Sequence, residues 1–157
     1  MKRQNGFSLI ELLIVVAIIL IIASMAIPNL LRARMSANEA SAVGAVRTLN
    51  AAEISYNSAY PTVGYAATLG ALSGTACAPP SATSSCLIDT QLASGNKNGY
   101  IYSITATGEP VSTYAIIAAP AVPNQTGVRY FCSFADAVVR YAESAITNCD
   151  GSITPLQ

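Results

Sequence analysis

One unbroken aliphatic run near the N-terminus constrains this chain more than any other feature. Residues 12–23 read LLIVVAIILIIA, and Glu11 is the only charged residue between positions 7 and 31. A helix that spans a bilayer needs about 20 apolar residues, and segment 7–31 supplies them. Because lipid offers no hydrogen-bond partners, we expect residues 9–31 to form a helix that satisfies its own main-chain groups.

The rest of the chain has a different composition. After Leu31 it is rich in Ala, Ser, Thr and Gly, and this part of about 125 residues is long enough to bury a core. The formal net charge is 0 and charged residues make up 10 %, which argues against disorder and against binding nucleic acid through net charge. The sequence has no His, so it lacks the commonest general base and metal ligand. We expect no enzyme activity, no cofactor and no nucleic-acid partner.

Two ordinary interpretations of the apolar segment each leave something unexplained. A cleaved secretory signal has an apolar core of about 7–15 residues followed by a small-residue cleavage site, whereas this core is longer and positions 25–27 read MAI. A plain membrane anchor explains the length but not Glu11. A carboxylate at mid-bilayer costs about 2.5–3.5 kcal/mol and usually has a partner.

A third interpretation accounts for every residue of this segment. Lys2 and Arg3 form a basic leader, followed directly by GFSLIE at positions 6–11. This pattern resembles the prepilin processing motif of type IV pilins and type II secretion pseudopilins. The resemblance implies cleavage after Gly6 and N-methylation of the new N-terminal residue, Phe7. It also makes Glu11 the glutamate at the fifth mature position.

The resemblance implies a role for Glu11 in subunit assembly. In a fibre core of aliphatic side chains an unpaired carboxylate is very unfavourable, so a cation must meet it. The family pattern supplies one, because methylation retains the positive charge of the Phe7 amine in an adjacent subunit. Glu11 and Phe7 are therefore the predicted assembly residues.

The partners and location that we expect also follow from the resemblance. They are a prepilin peptidase that is also the methyltransferase, the pilus assembly machinery, the membrane, and further copies of this chain bound through the N-terminal helix. The subunit would cross the inner membrane once with its N-terminus in the cytoplasm, and later lie in a surface fibre. Two alternatives stay open: a type II secretion pseudopilin that builds a short periplasmic piston, and a membrane-tethered binding protein that does not polymerise.

Pro28 falls inside the predicted helix, as a proline does in members of the family. It removes one helical hydrogen bond and clashes with the carbonyl four residues back, which predicts a kink. The alternative is that Pro28 begins a second helix at its first turn. The pattern also divides the chain into a leader at 1–6, a transmembrane and assembly helix at 7–31, and one globular domain at 32–157.

Residues 32–60 are predicted to form the amphipathic half of the long helix. Five apolar residues fall within an arc of about 140° at 100° per residue, and three charged residues interleave with them. The apolar set is Met35, Val43, Val46, Leu49 and Ile54, and the interleaved set is Glu39, Arg47 and Glu53.

The C-terminal part reads as a connection followed by an antiparallel sheet. Residues 61–98 are predicted to be mostly loop, with a helical turn near 68–72. Strand patterns cover 100–107, 112–118, 128–134 and 137–141. With the helix they predict an α+β, pilin-like fold: three or four strands in a meander, packed on the amphipathic half. The large sheet residues Tyr102, Tyr114 and Phe131 are expected in the core.

The sequence has four cysteines: Cys77, Cys86, Cys132 and Cys149. An even count beside a membrane anchor suggests two disulfides outside the cytoplasm. Three pairings are possible, and proximity favours Cys77–Cys86 with Cys132–Cys149. The second bond would match the C-terminal disulfide loop of type IV pilins, within the 99–157 sheet region. The spacings do not fit a zinc site, and the scattered acids Asp136, Glu143 and Asp150 are a weak calcium pattern, so we predict no metal.

Overall fold

The computed structural model describes residues 7–74, 77 and 79–156. Within them the order of elements is helix α1, two short helices and a sheet. The helices are α1 (Leu9–Ala59), α2 (Leu69–Leu72) and α3 (Thr90–Ala93). The strands are β1 (Asn96–Lys97), β2 (Tyr100–Thr107), β3 (Thr113–Pro120), β4 (Tyr130–Phe134) and β5 (Arg140–Ala142).

The strands form one antiparallel sheet in sequence order, β1-β2-β3-β4-β5. Tyr102 lies opposite Ala118, and Ile117 lies opposite Cys132. The predicted α+β class and antiparallel meander are confirmed. The sheet has one strand more than expected, because β1 has two residues and is too short to show an alternating pattern.

Helix α1 runs through Pro28 without interruption, so the alternative of a second helix beginning there is wrong. Pro28 has no N–H to donate to the carbonyl of Ser24, four residues earlier. The side chain of Ser24 makes a separate hydrogen bond, in which its hydroxyl donates to the carbonyl oxygen of Ile21 at 2.8 Å. The kink expected at Pro28 stays a prediction.

The chain forms two compact units, one ending at Arg34 and the other beginning at Met35. The second unit holds the hydrophobic core, in which one face of α1 packs on one face of the sheet. Tyr102, Tyr114 and Phe131 are all buried, as expected. Other buried members of this core are Ala42, Val46, Leu49, Tyr56, Leu72, Leu92, Tyr100 and Ile116.

The buried face of α1 differs from the predicted stripe. Ile54 is 52 % exposed, so its assignment to the buried stripe is wrong, whereas Glu39 and Glu53, which interleave with the stripe, are buried. Both carboxylates accept main-chain hydrogen bonds from loops that cover the helix. Such contacts leave no trace in the periodicity of apolar residues.

Two further differences concern turns. The predicted strand 137–141 starts later, at Arg140, because Ala137 has a positive φ of 58° and closes a turn by donating to the Phe134 carbonyl. The helical turn near 68–72 is confirmed as α2, capped by the Thr68 hydroxyl. Helix α3, capped by Asp89, lies where a loop was expected.

Candidate functional site

The first half of α1 presents apolar side chains on all its faces. Phe7 is 86 % exposed and Leu9 79 %, and the large aliphatic residues of segment 12–31 are each about half exposed or more. By length and composition α1 is able to cross a membrane, and no residue of its most apolar 18-residue stretch is buried within the part of the chain that the structure describes. An exposed apolar surface of this size marks contact with lipid or with another protein surface.

Glu11 lies in the first turn of this helix and caps it. Its Oε2 accepts a hydrogen bond from the main-chain N–H of Ser8 at 3.0 Å. The sequence S-x-x-E is the capping-box pattern, in which a glutamate satisfies an N–H that has no helical partner. The sequence reasoning missed this contact, although Ser8 and Glu11 carried the signal. Glu11 forms no ion pair with any described residue.

The structure describes some of the other predicted site residues but not all of them. Gly6 lies outside the described residues, and Phe7 is exposed at the start of them. Pro28 is exposed inside α1. The pairing of Glu11 with the Phe7 amine of a neighbouring subunit stays a prediction.

Two disulfides join the four cysteines. Cys77 and Cys86 have Cα atoms 5.7 Å apart, and Cys132 and Cys149 have theirs 5.9 Å apart. Both separations are ordinary for disulfides. Cys132 on β4 and Cys149 are buried, so this bond fastens the C-terminal segment to the sheet. Cysteines consumed in disulfides offer no thiolates to a zinc ion.

Two of the three scattered acidic residues, Asp136 and Asp150, have partners of their own, and the third, Glu143, is exposed. Asp136 forms a two-contact ion pair with Arg140, the shorter contact being 2.6 Å. Burial alone would raise the pKa of Asp136, but the hydrogen bonds from Arg140 and from the Val138 N–H, together with the charge of Arg140, outweigh burial and hold the pKa below its ordinary value. Asp150 accepts the main-chain N–H of Ser152. These carboxylates are therefore engaged within the chain.

Glu39 anchors the loop before β4 to α1. Its Oε1 accepts the main-chain N–H groups of Val128 and Arg129 at 2.9 and 3.1 Å, and its Oε2 accepts Arg129 Nε at 2.8 Å. Burial favours a raised pKa for Glu39, but these donors together lower it. Asn38 adds a bond from Nδ2 to the carbonyl oxygen of Thr126 at 2.8 Å. The carboxylate of Glu39 is thus structural.

Comparison with known proteins bears on the N-terminal segment. Residues 1–27 match the family model described as the prokaryotic N-terminal methylation motif. The chain carries that motif. It includes the predicted processing residues Gly6 and Phe7 and the glutamate Glu11.

Curated relatives fall into two groups. The chain is 62 % identical over 39 residues to the type IV wide pilus major component PilA4 of Thermus thermophilus, covering 25 % of this chain and 30 % of that protein. It is 42 % identical over 65 residues to the type II secretion system core protein G of Vibrio cholerae, covering 40 % and 44 %. It is 35 % identical over 82 residues to the type II secretion system core protein G of Dickeya chrysanthemi, covering 50 % of this chain and 52 % of that protein.

The chain spans between 30 and 52 % of the length of these three relatives. No solved structure matches the chain. The similarity therefore establishes the type of N-terminal segment, shared by type IV pilins and type II secretion pseudopilins, rather than the identity of the globular unit.

Proposed function

We propose that this chain is a structural subunit of a type IV pilus. The observation that carries the proposal is the first half of α1, which combines the N-terminal methylation motif with an apolar surface that no described residue covers. In the inner membrane that surface contacts lipid. In a fibre the same surface contacts the α1 helices of other subunits, which exclude water equally well.

Processing prepares the subunit for assembly. A prepilin peptidase cuts between Gly6 and Phe7 and methylates the Phe7 amine. The basic leader, and with it Lys2 and Arg3, is removed, and the new N-terminus carries one positive charge. The globular unit lies outside the cytoplasm, a location supported by the two disulfides because cytoplasmic thiols are kept reduced.

Glu11 then sets the register between subunits. When helices pack in the fibre core, the Glu11 carboxylate leaves water and needs a cation. The methylated amine of Phe7 in the neighbouring subunit meets this need, so a subunit docks stably only where the two charges come together. The capping contact from Ser8 uses one carboxylate oxygen, and the other oxygen accepts the amine.

A second candidate is a type II secretion pseudopilin that forms a short periplasmic piston. It is favoured by the similarity to core protein G, which extends over 65 and 82 residues and so beyond the apolar segment. Both candidates use the same processed N-terminus and the same helix packing. They differ in whether the polymer leaves the cell.

The test is to shear cells that make the chain, pellet high-molecular-weight material, and determine the N-terminus of the pelleted chain by mass spectrometry. We expect surface fibres whose subunits begin with N-methylated Phe7. A Gly6→Val variant is the matched control, because a bulky residue at the cleavage site should block processing and leave no fibres.

Other outcomes discriminate the alternatives. Processed chain in periplasmic polymers without surface fibres identifies the pseudopilin. Chain that stays in the membrane fraction as a monomer identifies a tethered protein and contradicts polymerisation. A start at Met1 or Lys2, or near Pro28, contradicts the processing step itself.

A further inference from the structure

Glu53 is a buried carboxyl group in the second half of α1. Its side chain is fully buried, and its Oε2 accepts the main-chain N–H of Ala66 at 2.8 Å. Its Oε1 has no hydrogen-bond partner among the described residues. A buried carboxylate is normally paired with a cation or with several donors, so a single amide is an unusually poor environment for a charge.

The groups that face Glu53 provide no compensating charge. Glu53 forms no ion pair within the described part of the chain. The titratable neighbours that interact with it are Tyr56 on α1 and Tyr114 on β3, and burial raises the pKa of both phenols. Both remain neutral at physiological pH. The Tyr114 hydroxyl donates instead to Asn50 Oδ1 at 3.2 Å.

Glu53 holds a short piece of chain, residues 63–66, which we call the 63–66 segment. On its other side the segment is bonded to Val111, in the turn between β2 and β3. Tyr65 N–H donates to the Val111 carbonyl at 3.0 Å, and Val111 N–H donates to the Val63 carbonyl at 2.9 Å. Gly64 has φ +89°, and a Cβ there would lie 2.0 Å from the Val111 carbonyl oxygen. The main chains of the 63–66 segment and of Val111 are therefore in close contact.

We propose that Glu53 is a proton-controlled tie between α1 and the 63–66 segment. Neutral Glu53 accepts the Ala66 N–H inside the core at low cost. When Glu53 loses its proton, the charge is stable only if water reaches it, and water reaches it when the segment opens away from α1. The tie therefore weakens as the pH rises, independently of the role of segment 7–31 in assembly.

The burial of Glu53 determines whether the tie weakens or strengthens with pH, and over which pH range it changes. Burial raises the pKa of Glu53 from 4.5 to about 7, against the smaller opposing effect of the Ala66 N–H. A raised pKa in the closed state means that the closed state binds the proton more tightly than the open state. The tie is complete below pH 4.5, weakens as the pH rises towards 7, and changes little above that.

Amide hydrogen exchange of Ala66 tests the proposal in the full-length chain in detergent micelles. After correction for intrinsic exchange rates, we expect the opening equilibrium at Ala66 to rise roughly 50- to 100-fold between pH 5 and pH 8. Glu53→Gln keeps the shape and the acceptor but cannot ionise, so its exchange should be independent of pH. Glu143→Gln removes an exposed carboxyl and should keep the wild-type dependence.

Two results would overturn the proposal. One is an opening equilibrium at Ala66 that stays flat with pH in the wild-type chain. The other is a Glu53→Gln variant that retains the pH dependence. If Glu53→Gln does not fold, the wild-type chain still decides the matter through a carbon-13 titration of the Glu53 carboxyl. A midpoint near 7 supports the tie, and a midpoint near 4.5 refutes it.

Discussion

The two halves of α1 differ in the exposure of their apolar side chains, although they belong to one continuous helix. Segment 9–34 exposes nearly all of its aliphatic side chains, whereas segment 35–59 buries one face against the sheet. Among the described residues the first half buries none of its large apolar side chains, whereas one face of the second half is part of the hydrophobic core. Helix α1 (Leu9–Ala59) contributes residues to both compact units, so one element serves two surroundings.

The glutamates of the two halves extend this comparison. Glu39 has an arginine and two amides, Glu53 has one amide and no described cation, and Glu11 has one amide in an apolar segment. Where the chain supplies the cation, the carboxylate is structural. Where it does not, the proton or a second subunit has to provide the missing compensation. That is why we propose a regulatory role for Glu53 and an assembly role for Glu11.

Leu49→Ala should produce the largest loss of stability. Leu49 is fully buried in the core between α1 and the sheet, and removing such a side chain costs about 2–5 kcal/mol. Urea unfolding followed by tyrosine fluorescence measures it in the full-length chain. All eight tyrosines lie at position 56 or later, so the signal reports the globular unit.

Ile54→Ala is the matched control, on the same helix but 52 % exposed. We expect its free energy of unfolding to fall by about 0.5 kcal/mol or less, as for surface substitutions. Equal losses at the two positions would contradict the assignment of the buried face of α1.

Removal of the disulfides should have the next largest effects. Replacing Cys132 and Cys149 together by Ser opens a loop with a sequence separation of 17, and the chain-entropy relation gives about 3 kcal/mol for such a loop. The double replacement of Cys77 and Cys86 opens a separation of 9 and should cost less. Urea midpoints under oxidising conditions compare them, and a larger loss from the second pair would contradict this ranking.

Thr68→Ala should reduce the stability of the globular unit less than Leu49→Ala or the removal of either disulfide. Its hydroxyl accepts the Ala71 N–H and caps α2, a helix of four residues. Loss of an N-cap costs about 0.5–2 kcal/mol of helix stability, and here we expect that loss in the local opening of α2. Amide exchange at Ala71 should increase while the urea midpoint moves little. Unchanged protection of that amide would show that Thr68 does not hold the turn.

The sequence predicted those features that repeat along the chain. The apolar run and the alternation of β2 were long enough to define α1 and the position of Tyr100–Thr107. Strand β1 was missed because two residues carry no period, and helix α3, a single turn of four residues, lies in the region 61–98 that was predicted to be mostly loop. The burial of Glu39 and Glu53 was missed for another reason: their partners, Val128 and Ala66, lie 89 and 13 residues away and contribute main-chain atoms, which all residues share.

The candidate site shows the same division. The motif at 6–11 identified the segment because its residues are adjacent in the sequence and match the methylation motif of residues 1–27. The cap formed by Glu11 on Ser8 was also a local pattern, and it was available in the sequence. A contact between subunits has no such signal in a single chain and requires an experiment on the fibre.

The most direct test of the central claim is the fibre yield of a Glu11→Ala strain. With subunit levels and Gly6 cleavage matched to wild type, we predict at least about a tenfold loss of sheared surface fibres, because the Phe7 amine of each neighbour would be buried without its partner. Glu11→Gln should behave similarly, and Glu143→Ala should give normal fibres. Normal fibre yield from the Glu11→Ala strain would contradict the account.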